Sequence, residues 1–330
     1  MGSISQFHAK SIQSLKRGRL VALCSRSGAK VRAAAEEYGV DWTTDLEKIL
    51  QREDIDVVNI CTASGMHLEP ALAAARAGKH VMVEKPLDVT LERADEMIAA
   101  CEKAGVKLAC IFQTRFNPDF IKLKAAVDAG KLGKPVAGSA YIKWFRPQSY
   151  YDATDWRGTL RGDGGAALIN QSIHTIDLLQ CIMGPVQTVF GKTATRTHSI
   201  EGEDIGLAIL QFSSGALGLI EGSTAIVPGY PERLEIHGEK GTIVLEGGRI
   251  KNWDIKGEES NIKNNNGSGT GAADPLAIPL TGHMRQIDDM IDAILEDRPP
   301  KIDGHEGRKA LQIVLAIYES AKTGREVRLS

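Results

Sequence analysis

Two hydrophobic periods divide this chain. Over roughly its first third, short apolar runs alternate with segments whose apolar residues recur every three or four positions, the pattern of a parallel sheet covered on both faces by helices. Predicted strands are Arg19–Ser25, Asp41–Thr43, Asp56–Thr62, the run from His80 to Lys85, and Lys107–Phe112. Predicted helices are Lys30–Tyr38, Leu46–Gln51 with a cap near Thr44, Met66–Ala77 stopped by Gly78, and Thr90–Ala104 stopped by Gly105. An opening helix places Ile4, His8, Ile12 and Leu15 on one face.

The second period is two. Pro135–Trp144, Val186–Thr197, Ile205–Phe212, Ala216–Thr224, Glu232–His237 and Thr242–Glu246 read as long strands of an open, mostly antiparallel sheet, with a helix Leu168–Met183 lying across one face. Asn264–Asp274, rich in Asn, Gly and Ser, reads as a flexible loop. Helices over about Gly282–Glu296 and Glu306–Lys322 close the chain, with Pro299-Pro300 between them. A length of 330 residues also favours two domains, expected at 1–118 and 119–330.

Charge narrows the partners. With 40 basic and 42 acidic residues the net is −2, and no basic block points to nucleic acid or an anionic membrane. Small molecules are the expected partners. Cys24, Cys61, Cys101, Cys110 and Cys181 lack a Cys-x-x-Cys spacing and read as buried thiols in a reducing compartment. No apolar run is long enough for a membrane span and no signal-peptide pattern opens the chain, so the cytoplasm is the expected location.

Two stretches carry the chemistry. In His80-Val-Met-Val-Glu-Lys85-Pro86 an apolar strand ends in a charged pair and a proline, and ligands of open α/β sheets bind beyond the carboxyl ends of strands. Far downstream, in Asp163-Gly-Gly-Ala-Ala-Leu-Ile-Asn170-Gln-Ser-Ile-His174-Thr-Ile-Asp177, the spacing puts Asn170, His174 and Asp177 on one helical face. The order and separation of these stretches, with the matching segments between them, resemble the Gfo/Idh/MocA family of nicotinamide-dependent sugar and polyol oxidoreductases across essentially the whole chain.

That resemblance implies an α/β fold: a Rossmann domain followed by an α/β domain whose large open sheet makes a homo-oligomer, dimer or tetramer. It implies hydride transfer at a secondary alcohol carbon of a sugar, glycoside, nucleotide sugar or polyol. Lys85 matches the family's catalytic lysine, which stabilises developing alkoxide charge. Pro86 follows it through a bond that is often cis in the family. His174 is the expected general base, and Asn170, where many members carry aspartate, holds the hydroxyl or orients the ring. Asp177 either supports the imidazole or is a satisfied polar residue, and Gly164-Gly165 would let backbone approach the substrate. Arg115 and Asn117 are expected substrate or nicotinamide-side contacts. Tyr150, Tyr151, Trp156, Arg157 and Arg161 form an expected substrate loop, with Arg157 the stronger candidate.

For the cofactor, Gly2, Ser3, Ile4 and Ser5 resemble the second half of a dinucleotide loop, whose N–H groups would hold pyrophosphate. The family's first strand and first glycine would precede this point. The reading therefore expects a misplaced start; the alternative is a chain that folds with a gapped sheet and binds cofactor poorly. Ser25-Arg26-Ser27 carries no acid for a ribose 2′-hydroxyl, and Arg26 can pair with a 2′-phosphate, so the cofactor is NAD(P) with a lean to NADP; Arg26 stacking on adenine is the other reading. Thr62, Ala63 and His67 match the turn beneath the nicotinamide, with Ala63 where the family usually has proline and His67 read as structural. Glu84 and Gln113 complete the expected cofactor side. No metal-ligand spacing occurs, and His80, His198, His237, His283 and His305 read as isolated. Two alternatives remain: a family hydrolase that uses NAD as a transient oxidant on glycosides, and a non-enzymatic ligand sensor.

Overall fold

A computed structural model describes residues 2–258 and 279–329; Met1 and the predicted loop Asn264–Asp274 lie outside the described residues. In chain order the elements begin with α1 Ser3–Gln13, β1 Ala22–Cys24, α2 Gly28–Tyr38, β2 Asp41–Thr43, α3 Leu46–Leu50, β3 Val57–Ile60, α4 Leu68–Arg76, β4 His80–Val83, α5 Leu91–Lys103 and β5 Leu108–Cys110. Next come α6 Pro118–Asp128, β6 Pro135–Lys143, α7 Gln148–Asp152, a π-helical segment Ala167–Ser172 and α8 Ile173–Met183. Six strands follow, β7 Val186–Ala194, β8 Ile205–Phe212, β9 Leu217–Ser223, β10 Arg233–Gly238, β11 Gly241–Glu246 and β12 Arg249–Ile255, and then α9 Thr281–Leu295, α10 Gly304–Thr323 and β13 Val327–Arg328.

Two compact units result, Met1–Gln113 with Pro279–Arg308, and Thr114–Ile278 with Lys309–Ser330. The sequence reading assigns everything after residue 118 to the second domain, whereas residues 279–308 belong to the first unit. The reason is hydrophobic: Ile287 and Met290 of α9 are buried with Ile12, Met82, Ala109 and Ile111 in one cluster.

In the first unit the described strands form two parallel pieces, β1-β2 and β3-β4-β5. Registers are parallel throughout, Ala22 beside Asp41, Val57 beside His80 and Val81 beside Leu108. β4 is buried from Val81 to Val83, as a strand covered on both faces must be. The cap of α3 is Asp45, whose side chain accepts from the Glu47 N–H, and not Thr44; a carboxylate at a helix N-terminus also gains from the dipole.

The second unit is built on one eight-stranded sheet in the order β12-β11-β10-β6-β9-β8-β7-β13. β6 and β9 run parallel and the other described pairs antiparallel. The alternation that predicted these strands is seen as burial on every second residue of β8. α8 covers the buried face so closely that a Cβ on Gly138 would stand 2.8 Å from Leu179 and Met183. The predicted helix Leu168–Met183 is not α-helical throughout: its first turn is the π segment, with α geometry only from Ile173. α6, α7, β12 and β13 were not anticipated, because short or weakly periodic elements leave little pattern to read.

Of the five thiols, Cys101 and Cys110 are buried as expected, Cys61 and Cys181 are partly exposed and Cys24 is exposed; none forms a disulfide among the described residues.

Candidate active site

In the first unit Lys85 stands just beyond β4, joined to Pro86 by a cis peptide bond. The turn is fastened on two sides. His67, which burial drives towards its neutral form, donates from Nδ1 to the Pro86 carbonyl at 3.0 Å while Nε2 faces the Thr62 carbonyl at 3.3 Å. Asp88, fully buried, accepts from the N–H groups of Leu68 at 3.2 Å and Val89 at 2.7 Å and from Arg93 Nε at 2.7 Å. These contacts fix the backbone on which the half-buried lysine stands.

Glu84 is buried, with its carboxylate beside two histidines. Its Oε1 lies 2.8 Å from His8 Nε2 and its Oε2 accepts from the Lys85 N–H at 3.2 Å. Burial opposes ionisation, yet His8, with His283 and Lys85, holds the carboxyl well below its usual value, at about 2. His283 is 1 % exposed, and burial pushes it down to about 4. The histidines read as isolated are in fact partnered or clustered: His198 with Asp204 at 3.0 Å, His237 with Thr242 at 2.9 Å, His305 with Glu102 at 2.8 Å, and His80 as acceptor from the Lys107 N–H at 3.0 Å.

A dinucleotide needs an open helix N-terminus. Gly2 caps α1 without a side-chain bond, no acid occupies the first turn, and a Cβ on Gly2 would meet nothing within 4 Å. Gly2, Ser3 and Ile4 thus present N–H groups at the positive end of a helix, which fits a pyrophosphate. Ser25 and Arg26 follow β1; Arg26 is exposed, its Nη2 3.8 Å from Met66 Sδ, so its charge has no carboxylate among the described residues. Thr62 Oγ1 donates to the Met66 carbonyl at 2.9 Å and Ala63 caps the short turn Ser64–Met66, closing this loop without the family's proline. Gln113, 6 % exposed, ends the first unit.

In the second unit the π segment carries Asn170. Its N-terminus lacks a capping side chain of its own, and Glu203 supplies one from a distance, accepting from Ala166 N at 3.2 Å and Leu168 N at 2.7 Å. Tyr318 Oη donates to the same carboxylate at 2.8 Å. Gly165, at φ 146°, lies against Tyr318 and Glu203, so its lack of a Cβ permits the close approach of these side chains. Burial raises the Glu203 carboxyl to about 6 against these donors.

Asn170 is held at both ends: Nδ2 donates to Asp163 Oδ1, and Oδ1 accepts from Gln171 Nε2 at 2.9 Å. Asp163, 1 % exposed, also accepts from the Gly158 N–H at 3.0 Å. His174 follows in the first turn of α8. Asp177 stands three residues further along the same helix. Fully buried, it binds Arg115 through two bonds, Nη2 to Oδ1 at 2.6 Å and Nε to Oδ2 at 2.7 Å. This fork joins two of the predicted substrate contacts, Arg115 and Asp177, to each other. Asn117 likewise uses its side-chain carbonyl to cap α6, accepting from Asp119 N at 2.8 Å.

Beside Asn170 lies a stack of cations and rings. Arg157 sits 4.2 Å from the Tyr150 ring centre and donates to the Tyr150 carbonyl at 3.1 Å. Arg146, 2 % exposed, lies 5.0 Å from Trp144 and 5.6 Å from Tyr150 and donates to Gln171 Oε1 at 3.2 Å, while Gln171 donates to Tyr150 Oη at 2.9 Å. Tyr151 is buried, hydrogen-bonded to Thr224 Oγ1 at 2.7 Å, and belongs to the core and not to a substrate loop. Sequence reading missed Arg146, Gln171 and Glu203. Asp163 stood in the motif and could have been found; a carboxylate 37 residues from the N–H it caps leaves no local signal.

Comparison with known proteins identifies both halves of the chain. The NAD-binding Rossmann-fold model of the oxidoreductase family matches residues 1–112, and the GFO/IDH/MocA C-terminal domain matches residues 120–244. The chain is 30 % identical to the myo-inositol 2-dehydrogenase of Thermotoga maritima, over all of this chain and 96 % of the relative. It is 27 % identical to the D-apiose dehydrogenase of Paraburkholderia graminis, over 99 % of this chain and 88 % of the relative. Among solved structures, the WlbA dehydrogenase from Bordetella pertussis in complex with NADH and UDP-GlcNAcA superimposes with a TM-score of 0.89 at 34 % identity, covering 100 % of this chain and 96 % of that one. With both halves matched and a Rossmann unit bearing a lysine at its strand end, the chain belongs to the Gfo/Idh/MocA family of NAD(P)-dependent oxidoreductases.

Proposed function

We propose that this protein oxidises one secondary alcohol of an acidic sugar, carried free or on a nucleotide, with NAD(P) as hydride acceptor. When bound, the nicotinamide supplies the site that receives the hydride. The chain's residues do the rest. The Lys85 ammonium stabilises the charge that develops on the alcohol oxygen, and His174 removes its proton, so that the C–H and O–H bonds are exchanged for a C=O bond. Asn170, fixed by Asp163 and Gln171, offers an oriented amide to the hydroxyl.

The observation that carries the acidic-substrate reading is Arg157. Its guanidinium rests on Tyr150, forms no ion pair with a carboxylate among the described residues, and leaves Nε buried without a hydrogen-bond partner. A substrate carboxylate or phosphate would satisfy both charge and donor. The UDP-GlcNAcA bound to the WlbA relative supports the same class. The exposed residues Phe190, Leu207, Ile209 and Leu217 on β7, β8 and β9 support a homo-oligomer formed through that sheet face.

The test is turnover of UDP-linked N-acetylglucosaminuronate, myo-inositol and D-apiose, followed by reduced-nicotinamide absorbance, in the native protein and in Arg157→Ala. Oxidation of the uronate, with KM raised roughly 10- to 100-fold in Arg157→Ala, is expected. Oxidation of only the neutral polyols, or sugar release without net reduction, would overturn the acidic-substrate assignment.

A further inference from the structure

We propose that His8, Glu84 and His283 form a binding site for a divalent transition-metal ion of the zinc class inside the first unit. One ligand atom from each residue lies within 4.8 Å of the others, and all three side chains are buried. His8 Nε2 stands 2.8 Å from Glu84 Oε1, and His283 Nε2 stands 3.9 Å from the same oxygen. Ligands about 2.0–2.1 Å from a tetrahedral ion are separated by roughly 3.3 Å, so small side-chain rotations bring these atoms into a coordination shell. Two imidazoles and a carboxylate are a donor set that suits zinc or cobalt and leaves one position for water.

The second observation concerns His283. Both of its ring nitrogens are buried, and neither has a hydrogen-bond partner among the described residues. Its neighbours are rings, Phe7 at 6.0 Å and His8 at 5.5 Å between centres, which satisfy the faces and edges of the imidazole but not its lone pair. A buried polar ring left in this state is costly, and such groups in folded proteins have an explanation. An ion on Nε2 is one that the neighbouring ligands make available.

The surroundings are arranged as the outer shell of a metal site. His8 Nδ1 faces Asn59 Oδ1 at 3.3 Å, which sets the ring so that Nε2 points to Glu84. The Lys85 N–H engages Glu84 Oε2 at 3.2 Å and leaves Oε1 towards the histidines. Amide and carbonyl partners of this kind fix ligand orientation in metal sites. The three residues come from α1, from the turn after β4 and from α9, so an ion here would tie three separate segments of the first unit together. Its role is structural, distinct from hydride transfer, and it stands whether or not the substrate assignment does.

The experiment uses the purified full chain, without cofactor or substrate. Cobalt(II) is titrated in and followed by its visible absorption, zinc is quantified by elemental analysis after dialysis against a metal buffer, and thermal unfolding is recorded with zinc and with chelator. One ion per chain, a tetrahedral cobalt spectrum and a higher Tm with zinc are expected. His283→Ala is expected to lose the spectrum and weaken affinity more than 100-fold, and Asn59→Ala, outside the ligand set, by roughly 10- to 100-fold. His305→Ala, at an exposed histidine, serves as the control. No stoichiometric uptake by the native chain, or the same uptake in folded His283→Ala, overturns the assignment.

Discussion

Asp177 grips Arg115 with both carboxylate oxygens, at 2.6 and 2.7 Å, and is itself wholly buried. The pair ties the segment around Arg115 to α8, the helix that also carries His174, inside the second unit. Removing one partner strands the other. Asp177→Ala is expected to lower unfolding free energy by about 3–5 kcal/mol, measured by urea denaturation, whereas the double change Arg115→Met with Asp177→Leu recovers most of the loss. Equal loss in the single and double variants would mean that the fork does not set the stability of this helix.

Glu203 should make folding weaken with rising pH over one window. Burial lifts its carboxyl from 4.5 to about 6, so the folded protein holds a proton that the unfolded chain has already released. Its contribution is complete below pH 4.5 and is lost as pH climbs through about 6, amounting to roughly 2 kcal/mol. Stability profiles of the native protein and Glu203→Gln should differ in slope there and run parallel above it. Parallel profiles throughout would place the Glu203 proton elsewhere.

Lys85→Ala and His174→Ala are expected to cost a factor of about 10²–10⁴ in kcat with reduced-nicotinamide affinity nearly unchanged. With His174 as the proposed proton acceptor, its variant is also expected to lose the limb of the pH–rate profile that a general base imposes. Near-native turnover in either variant would remove that residue from the chemistry.

Arg26 gives a test of cofactor choice that is independent of the sugar. It follows β1 and forms no ion pair with a carboxylate among the described residues. Arg26→Asp is expected to move the ratio of NADPH to NADH dissociation constants by roughly 10- to 100-fold in favour of NADH, read by fluorescence titration. An unchanged ratio would assign Arg26 to stacking on adenine, or to no role in binding.

Local order was legible in the residues themselves. Period-two burial marked β6, β8 and β9, while Gly78 and Gly105 marked the ends of helices, because hydrophobic alternation and backbone freedom act over a few residues. Lys85 and the Asn170–His174 pair stood out as candidates for a related reason: each lies in a short stretch whose composition departs from what a strand or helix alone requires. The tertiary structure decided what distance along the chain conceals. It joined Arg115 to Asp177 across 62 residues and Glu203 to the Leu168 N–H across 35. It gathered His8, Glu84 and His283 from three elements, and made the first turn of the predicted helix a π segment. Sequence specifies the polarity and flexibility of each residue; which buried charge meets which donor depends on packing, and an unpartnered group in a low-dielectric interior is costly enough that the fold settles on those pairings.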